Sequence, residues 1–408
     1  MKTLYILFLG LLVSGGVMAQ PCMPNGITFT TQEQVDNFQI NYPNCTEILG
    51  NVHIGVYLGC DINNLSGLNV LTSIGGSLFI DFTDILENLK GLNNLDSIGG
   101  GLVVWYNDSL SELTGLENVT SIGGLNFGPN PLLTSLTGLD SLSFLGGELL
   151  INNSSLYSLE GLENLEVIDG GLNLWGNYFL NDLSGLENIT SFQGSLTIAF
   201  NKSLTNLIGL EGLEVINALY GTQALSITNN DSLINLSGLE GITNIDGDVS
   251  VTANPNLTSL TAIGNIEDGS IEILNVNNNP LLQTCEVQII CEHLALNGIA
   301  YIENNAAGCN SPEEVEDACE SVSINEINDL QDLNIYPNPT YASITIELPT
   351  QPSKNTSLTI YNLNGQQLIT QPITEPQTVV DVSGLPKGVY FVKIMDDEKV
   401  MMGKVIKQ

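Results

Sequence analysis

Apolar positions recur along most of this chain in one pattern, rewritten about every two dozen residues. Over 172–194 it reads L-x-L-x-x-N-x-x-L-x-x-L-x-G-L-x-x-I-x-x-F-x-G, carried by Leu172, Leu174, Asn177, Leu180, Leu183, Gly185, Leu186, Ile189, Phe192 and Gly194. Its Gly-Leu pair returns at Gly67, Gly91, Gly115, Gly138, Gly161, Gly185, Gly209 and Gly238, at intervals of 24, 24, 23, 23, 24, 24 and 29 residues, and Ala262-Ile263 fills the slot in a ninth, weaker copy. A fixed period in the twenties is the signature of a solenoid. About six apolar side chains per copy, at roughly 2 kcal/mol each when buried, do not offset the ordering of some two dozen residues at about 1–2 kcal/mol apiece. One copy cannot stand alone, whereas stacked copies share ladder hydrogen bonds about 4.8 Å apart and one continuous core. Nine coils at that spacing make a rod on the order of 40 Å long.

The most strand-like piece of each coil is an apolar-x-apolar triplet: 78–80, 102–104, 125–127, 149–151, 172–174, 196–198, 225–227, 249–251 and 274–276. Alternation sends the outer letters inward and the middle letter outward, so stacked triplets form a parallel sheet along one face. Three residues after most triplets stands an asparagine: Asn107, Asn130, Asn177, Asn201, Asn230, Asn254 and Asn279. Asparagine tolerates tight turns and bonds backbone groups, so this column predicts an internal ladder. The rest of each coil steps by threes, as in Leu110, Leu113, Leu116, Val119 and Ile122, which fits short segments joined by bends at glycines.

The ends break the pattern. Met1 to Ala19 carries Lys2, an apolar run from Leu4 to Val13 and a small-residue close at Val17-Met18-Ala19, which reads as a secretory signal cleaved after Ala19. Ala19-Gln20-Pro21 before Cys22 lacks the small residues of a lipid-attachment site, and no later run is long enough to span a bilayer. Residues 20–50 form an entrance cap, with a capping box at Thr31-Gln32-Glu33-Gln34 and a helix using Val35, Phe38 and Ile40. Cys22 and Cys45 flank that helix and are expected to pair in an oxidising compartment. The solenoid proper runs 51–282. An exit cap follows over 283–319, with helices at 285–296 and after Ser311-Pro312-Glu313-Glu314; its Cys285, Cys291, Cys309 and Cys319 admit three disulfide pairings. Export and the absence of C-x-x-C pairs argue against zinc there. Cys60 is left as a buried small hydrophobe. An acidic linker, 320–332, leads to 333–408, where the period vanishes and strands at 343–348, 357–361, 378–382, 388–395 and 401–406 predict a small Ig-like β-sandwich. The fold class is therefore mainly β: a parallel β-helix or leucine-rich-repeat-like solenoid of about nine 23–24-residue coils with helical caps, then the sandwich.

Two resemblances carry functional content. Asn44-Cys45-Thr46-Glu47-Ile48-Leu49-Gly50-Asn51-Val52-His53-Ile54 and the L-x-G-L-x-x-L-x-x-I-x-G-x-L-x-I units after it resemble receptor L domains, over about 44–282. That resemblance implies a β-helical, leucine-rich ligand-binding module; nine uninterrupted coils depart from the family, so its ligand face does not transfer residue by residue. Leu333-Asn334-Ile335-Tyr336-Pro337-Asn338-Pro339, Leu358 to Asn362 with Gly365, Leu385-Pro386-Lys387-Gly388-Val389-Tyr390-Phe391-Val392 and Gly403-Lys404-Val405-Ile406-Lys407 are similar to the C-terminal sorting domain of the Bacteroidetes type IX secretion system. The implied sorting motif is Tyr336, Pro337, Asn338, Pro339, Gly388, Tyr390 and Lys404. The resemblance further implies export through the periplasm, recognition by the outer-membrane translocon, and release or attachment to surface lipopolysaccharide after the domain is removed.

Charge and chemistry narrow the rest. Forty-five acids face nine lysines and no arginine, a net charge of −36, and between the signal and residue 353 the only basic side chains are Lys90 and Lys202. Such a surface repels nucleic acid and anionic lipid. Asp and Asn oxygens could serve calcium, but no D-x-D-x-D-G loop occurs. Histidine is limited to His53 and His293, both read as structural, and no G-x-S-x-G, H-E-x-x-H or P-loop pattern is present. Polysaccharide lyases need Arg or Lys that the solenoid lacks. A carboxylate-based glycoside hydrolase is the alternative reading, although Glu117, Glu163 and Glu187 repeat with the period and look like solvated coil positions. No cofactor is expected, and the sequons at Asn118, Asn188 and Asn256 fall on repeat slots. Aromatics cluster at and after the triplets of the first half: Phe79, Phe82, Trp105, Tyr106, Trp175, Tyr178 and Phe200, with the two tryptophans in equivalent slots three coils apart. They either fill bends or form a strip for a glycan or protein ligand. The expected function is an exported, non-catalytic binding or adhesion protein, secreted or held at the outer-membrane surface.

Overall fold

A computed structural model describes residues 21–408 apart from 56, 58, 219–222, 267–270, 328–330, 349–350, 355, 363–365 and 396–399. The signal segment 1–19 and Gly365 therefore lie outside the described residues. The chain divides into two units, 1–316 and 317–408.

The first unit is a parallel β-solenoid of about eleven turns with a repeat of ~24 residues. All nine triplets lie in strands, paired in register from one coil to the next; Leu149, Leu172 and Leu196 face one another, as do Ile151, Leu174 and Ile198. The ladder also runs past both predicted ends. Ile27–Phe29 and Val52–Ile54 precede the first triplet in it, and Ile299–Glu303 follows the last. The caps thus contain strand rungs as well as helices. Several coils carry a second, shorter strand, such as Ser73–Ile74 or Val167–Ile168, paired with its own counterparts; in Ser97–Trp105, Ser121–Phe127 and Asn244–Thr252 the two run on as one strand. Side chains stepping by threes line the interior without gaps: Leu180, Leu183, Leu186 and Ile189 are all fully buried.

Two repeated devices hold the bends. The asparagine column forms the expected ladder, buried throughout. Asn177 donates both its backbone N–H and its Nδ2 to Asn201 Oδ1, at 3.1 and 3.2 Å, and Nδ2 also reaches Ile151 O. Asn201, Asn230 and Asn254 repeat this, and the column extends to Asn305. Thr83 starts it, its Oγ1 donating to Asn107 Oδ1. Ser154 occupies the slot between Asn130 and Asn177, and its coil reaches the next buried leucine, Leu156, one residue sooner than the others. The second device was not legible as such. Glu163, Glu187, Glu211 and Glu240 accept from the backbone N–H of the glycine two residues earlier, at 2.7–3.0 Å. These carboxylates, like Glu117 on Gly115, are bend caps rather than merely solvated. Asn118 and Asn188 are likewise engaged, donating to Asn93 O and Glu163 O of the preceding coil.

At the entrance Thr31 and Gln34 make the expected capping box, but the helix is short, Gln32–Asp36, and a second follows at Phe38–Asn41; Val35 and Phe38 are buried, whereas Ile40 is exposed. Cys22 and Cys45 are disulfide-bonded, with Cα atoms 5.6 Å apart. Helices Gln288–Ala295 and Pro312–Ile327 form the exit, the latter reaching into the stretch read as a linker. Cys285 pairs with Cys309, Cys291 and Cys319 are also disulfide-bonded, and Cys60 is free and buried. The four exit cysteines are staples, not a metal cage.

The second unit packs a five-stranded sheet and a three-stranded sheet on a shared core of Ile344, Ile346, Leu358, Ile360, Val380, Val392 and Ile394. The five expected strands are present, joined by Asn334–Tyr336 and by Gln367–Pro372, which pairs with Ser357–Tyr361.

Candidate binding face of the solenoid

The outward side of the long ladder holds the sequence-predicted aromatics. Two columns of side chains point away from the core. The middle letters of the triplets give His53, Phe79, Val103, Asn126, Leu150, Asn173 and Thr197 in successive coils. The position after each triplet gives Asp81 and Trp105 in facing coils, and farther on Asn152, Trp175 and Ala199. Beside them runs the bend residue, which takes a left-handed conformation in coil after coil. Asn153, Asn229, Asn278 and Asn304 adopt it, as does Gly176. Phe82, Tyr106 and Phe200 occupy the same bend at φ +53°, +54° and +58°. Asparagine and glycine enter this region readily; a bulky side chain there costs on the order of 1–2 kcal/mol. Three aromatics therefore stand where the fold itself favours a smaller residue, two of them exposed, Tyr106 at 45% and Phe200 at 41%, and Phe82 half-buried. Strain of this kind points to use.

The rings form two islands. In the first, Phe82 and Tyr106 stack with centroids 5.2 Å apart and planes 10° from parallel, Tyr57 closes the far side edge-on at 5.1 Å, and Trp105 meets Tyr106 at 71°. Phe79 packs on His53, whose Nε2 lies 2.9 Å from Asp81 Oδ1. In the second, Trp175 tilts against Phe200 at 5.3 Å, Tyr157 meets Phe179 edge-on, and Lys202 sits 4.7 Å over the Tyr178 ring. Tyr57, Tyr157 and Phe179 were missed in the sequence.

Trp105 is placed with particular care. Its Nε1 donates to Asn126 Oδ1 at 2.9 Å, and its pyrrole ring covers Gly128 of the next coil, where a Cβ would lie 2.7 Å from Cδ2. The indole thus lies over the sheet with one face against glycine, and the residue is half-buried. Trp175 meets Ala199 in the equivalent slot and stands 42% exposed. Between them, Asn152 Oδ1 and Asn173 Oδ1 are buried without a hydrogen-bond partner. Nearby, partial desolvation pushes the Glu148 carboxyl above its ordinary range, against the opposing pull of the Asn173 side chain. Among the described residues no cluster of three or more His, Cys, Asp or Glu could hold a metal, and no helix is long and apolar enough to cross a membrane. His293 is buried, with Nε2 3.1 Å from Ile299 O.

In the second unit the sorting-motif residues bind the last strand in place. Asn338 Nδ2 donates to Lys404 O and Asn338 Oδ1 accepts from Ile406 N, at 2.6 and 2.9 Å. Tyr390 donates to Pro386 O from a buried position, Tyr336 accepts from Gln377 Nε2, and Gly388 pairs with Lys407. Asn338→Ala removes two ties across 66 and 68 residues of sequence; thermal melting of the full chain should show the C-terminal transition lowered by about 1–3 kcal/mol, with the solenoid transition unmoved.

Comparison with known families fits this division. Residues 173–268 match the receptor L domain, and residues 334–408 match the secretion system C-terminal sorting domain. No curated protein matches the chain.

Proposed function

We propose that this chain, a type IX secretion cargo built on a receptor L-domain solenoid, is a non-catalytic binding or adhesion protein that works at the cell surface or outside it. The sorting domain places the protein on the secretion route, engages the type IX machinery and accounts for its extracellular destination. The binding role rests on the three aromatics held in left-handed bends on the outward face. Asparagine fills the same slot in four other coils, so the rings stand there although a less strained residue fits the bend. The repeated acids Glu163, Glu187 and Glu211 are committed to glycine N–H groups, which removes these from the pairs a carboxylate hydrolase could use.

The test is retention of the purified full chain on immobilised polysaccharide and glycoprotein surfaces. Replacing Trp105 and Tyr106 together by Ala should weaken retention at least tenfold while leaving the circular dichroism spectrum unchanged. Equal retention by the folded variant rejects the reading, and so does release of new reducing ends from the same polysaccharides by the wild-type chain.

A further inference from the structure

We infer that the outward face from Trp105 to Trp175 binds an extended, neutral polysaccharide laid along the solenoid axis. This rests on the binding role proposed above and names its ligand class. The first ground is the flat indole of Trp105. It is pinned by Asn126 and made possible by Gly128, so an aromatic plane lies over the sheet on its outward side, half-buried. Such a plane stacks on the C–H face of a sugar ring. Tyr106, at 71° to it, forms a side wall that keeps a ring centred. A protein partner would be better served by a pocket for an anchoring side chain, and the floor here is a plane.

The second ground is repetition. Trp175 occupies the same column three coils farther on, roughly 14 Å away at the ladder spacing, and a coil's rise is close to the length of one sugar residue in an extended chain. Asn152, one coil before Trp175, lies in the same column. The third ground is charge. A chain of net −36 without a single arginine repels uronates and sulfated glycans. Stacking planes on a strongly acidic chain together select uncharged sugars.

The two tryptophans of the whole chain are these two, so intrinsic tryptophan emission reads the face without background. The purified full chain would be titrated with hexamers of β-1,4-glucan, β-1,3-glucan, β-1,4-mannan and β-1,4-xylan, and with a hexagalacturonate. At least one neutral hexamer should shift the emission saturably, and the uronate should not. Trp175→Ala should weaken that titration at least tenfold. Gly128→Ala, which lifts the indole yet keeps both tryptophans, should do the same with the circular dichroism spectrum unchanged. No response to any neutral hexamer overturns the inference, as does tighter binding of the uronate or wild-type affinity in folded Gly128→Ala. If the hexamers fail while retention on glycoprotein surfaces still depends on Trp105 and Tyr106, the glycan falls and the binding role stands; if that dependence is also missing, both fall.

Discussion

Asn201→Ala unfolds the middle of the solenoid at denaturant concentrations that leave the wild type intact. The amide oxygen of Asn201 accepts from Asn177 N and Nδ2, and its Nδ2 donates to Leu174 O and Asn230 Oδ1, all in the interior. Truncation leaves two donors and a carbonyl without these partners, in a place where Asn177 and Asn201 are fully buried. At about 1–3 kcal/mol for each orphaned buried group, with some relaxation, the loss is about 3–5 kcal/mol. Solenoid stability is close to a sum of nearest-neighbour contributions, so the damage centres on the coils around Asn201. Hydrogen exchange should show amides of 172–230 losing protection before those of the terminal coils. Uniform loss along the rod would mean that the ladder is not the local tie described here.

Gly185→Ala should be comparably severe through the backbone alone. Gly185 sits at φ +109°, and a methyl there would run into the Leu159 carbonyl of the preceding coil. Neither strain nor clash is relieved by a side-chain movement, because the obstacle is main chain, and the cost should reach about 3 kcal/mol or more. Gly384→Ala in the C-terminal unit, with nothing within 4 Å of its added Cβ, is the matched control and should stay within about 0.5 kcal/mol of wild type. Chemical denaturation of the two variants separates the outcomes. Near-equal stability would show that the coil can shift at Gly185.

Much of this was written openly in the repeat. A column that must bury an asparagine in every coil leaves the same letter every two dozen residues, and inward leucines announce themselves by alternation. What escaped had no letter of its own in the pattern. Thr83 and Ser154 do the work of asparagine with a different letter. Asn305 lies past the last recognisable copy, on a rung, Ile299–Glu303, whose exposed Ile299 and Tyr301 blur the alternation. Glu187 looks like any surface acid until the N–H it caps is placed beside it. Gln367–Pro372 hid because none of its side chains is buried, so it carries no two-residue period. At the binding face the aromatic residues were visible as outliers from the repeat. Their left-handed bends and the glycine under Trp105 were not, since both are facts of three dimensions.

The disulfides sit only at the two ends of the stack, Cys22–Cys45 at one and Cys285–Cys309 with its neighbours at the other. Because most partners lie a single coil away, rungs can be laid down one upon another from any starting point. An uncovered terminal rung, however, is an open template for a stranger's strand. Thiols stay reduced in the cytosol and oxidise beyond it, so maturation has an order imposed by geography: the stack gains its covalent stoppers only after leaving the compartment in which it was made.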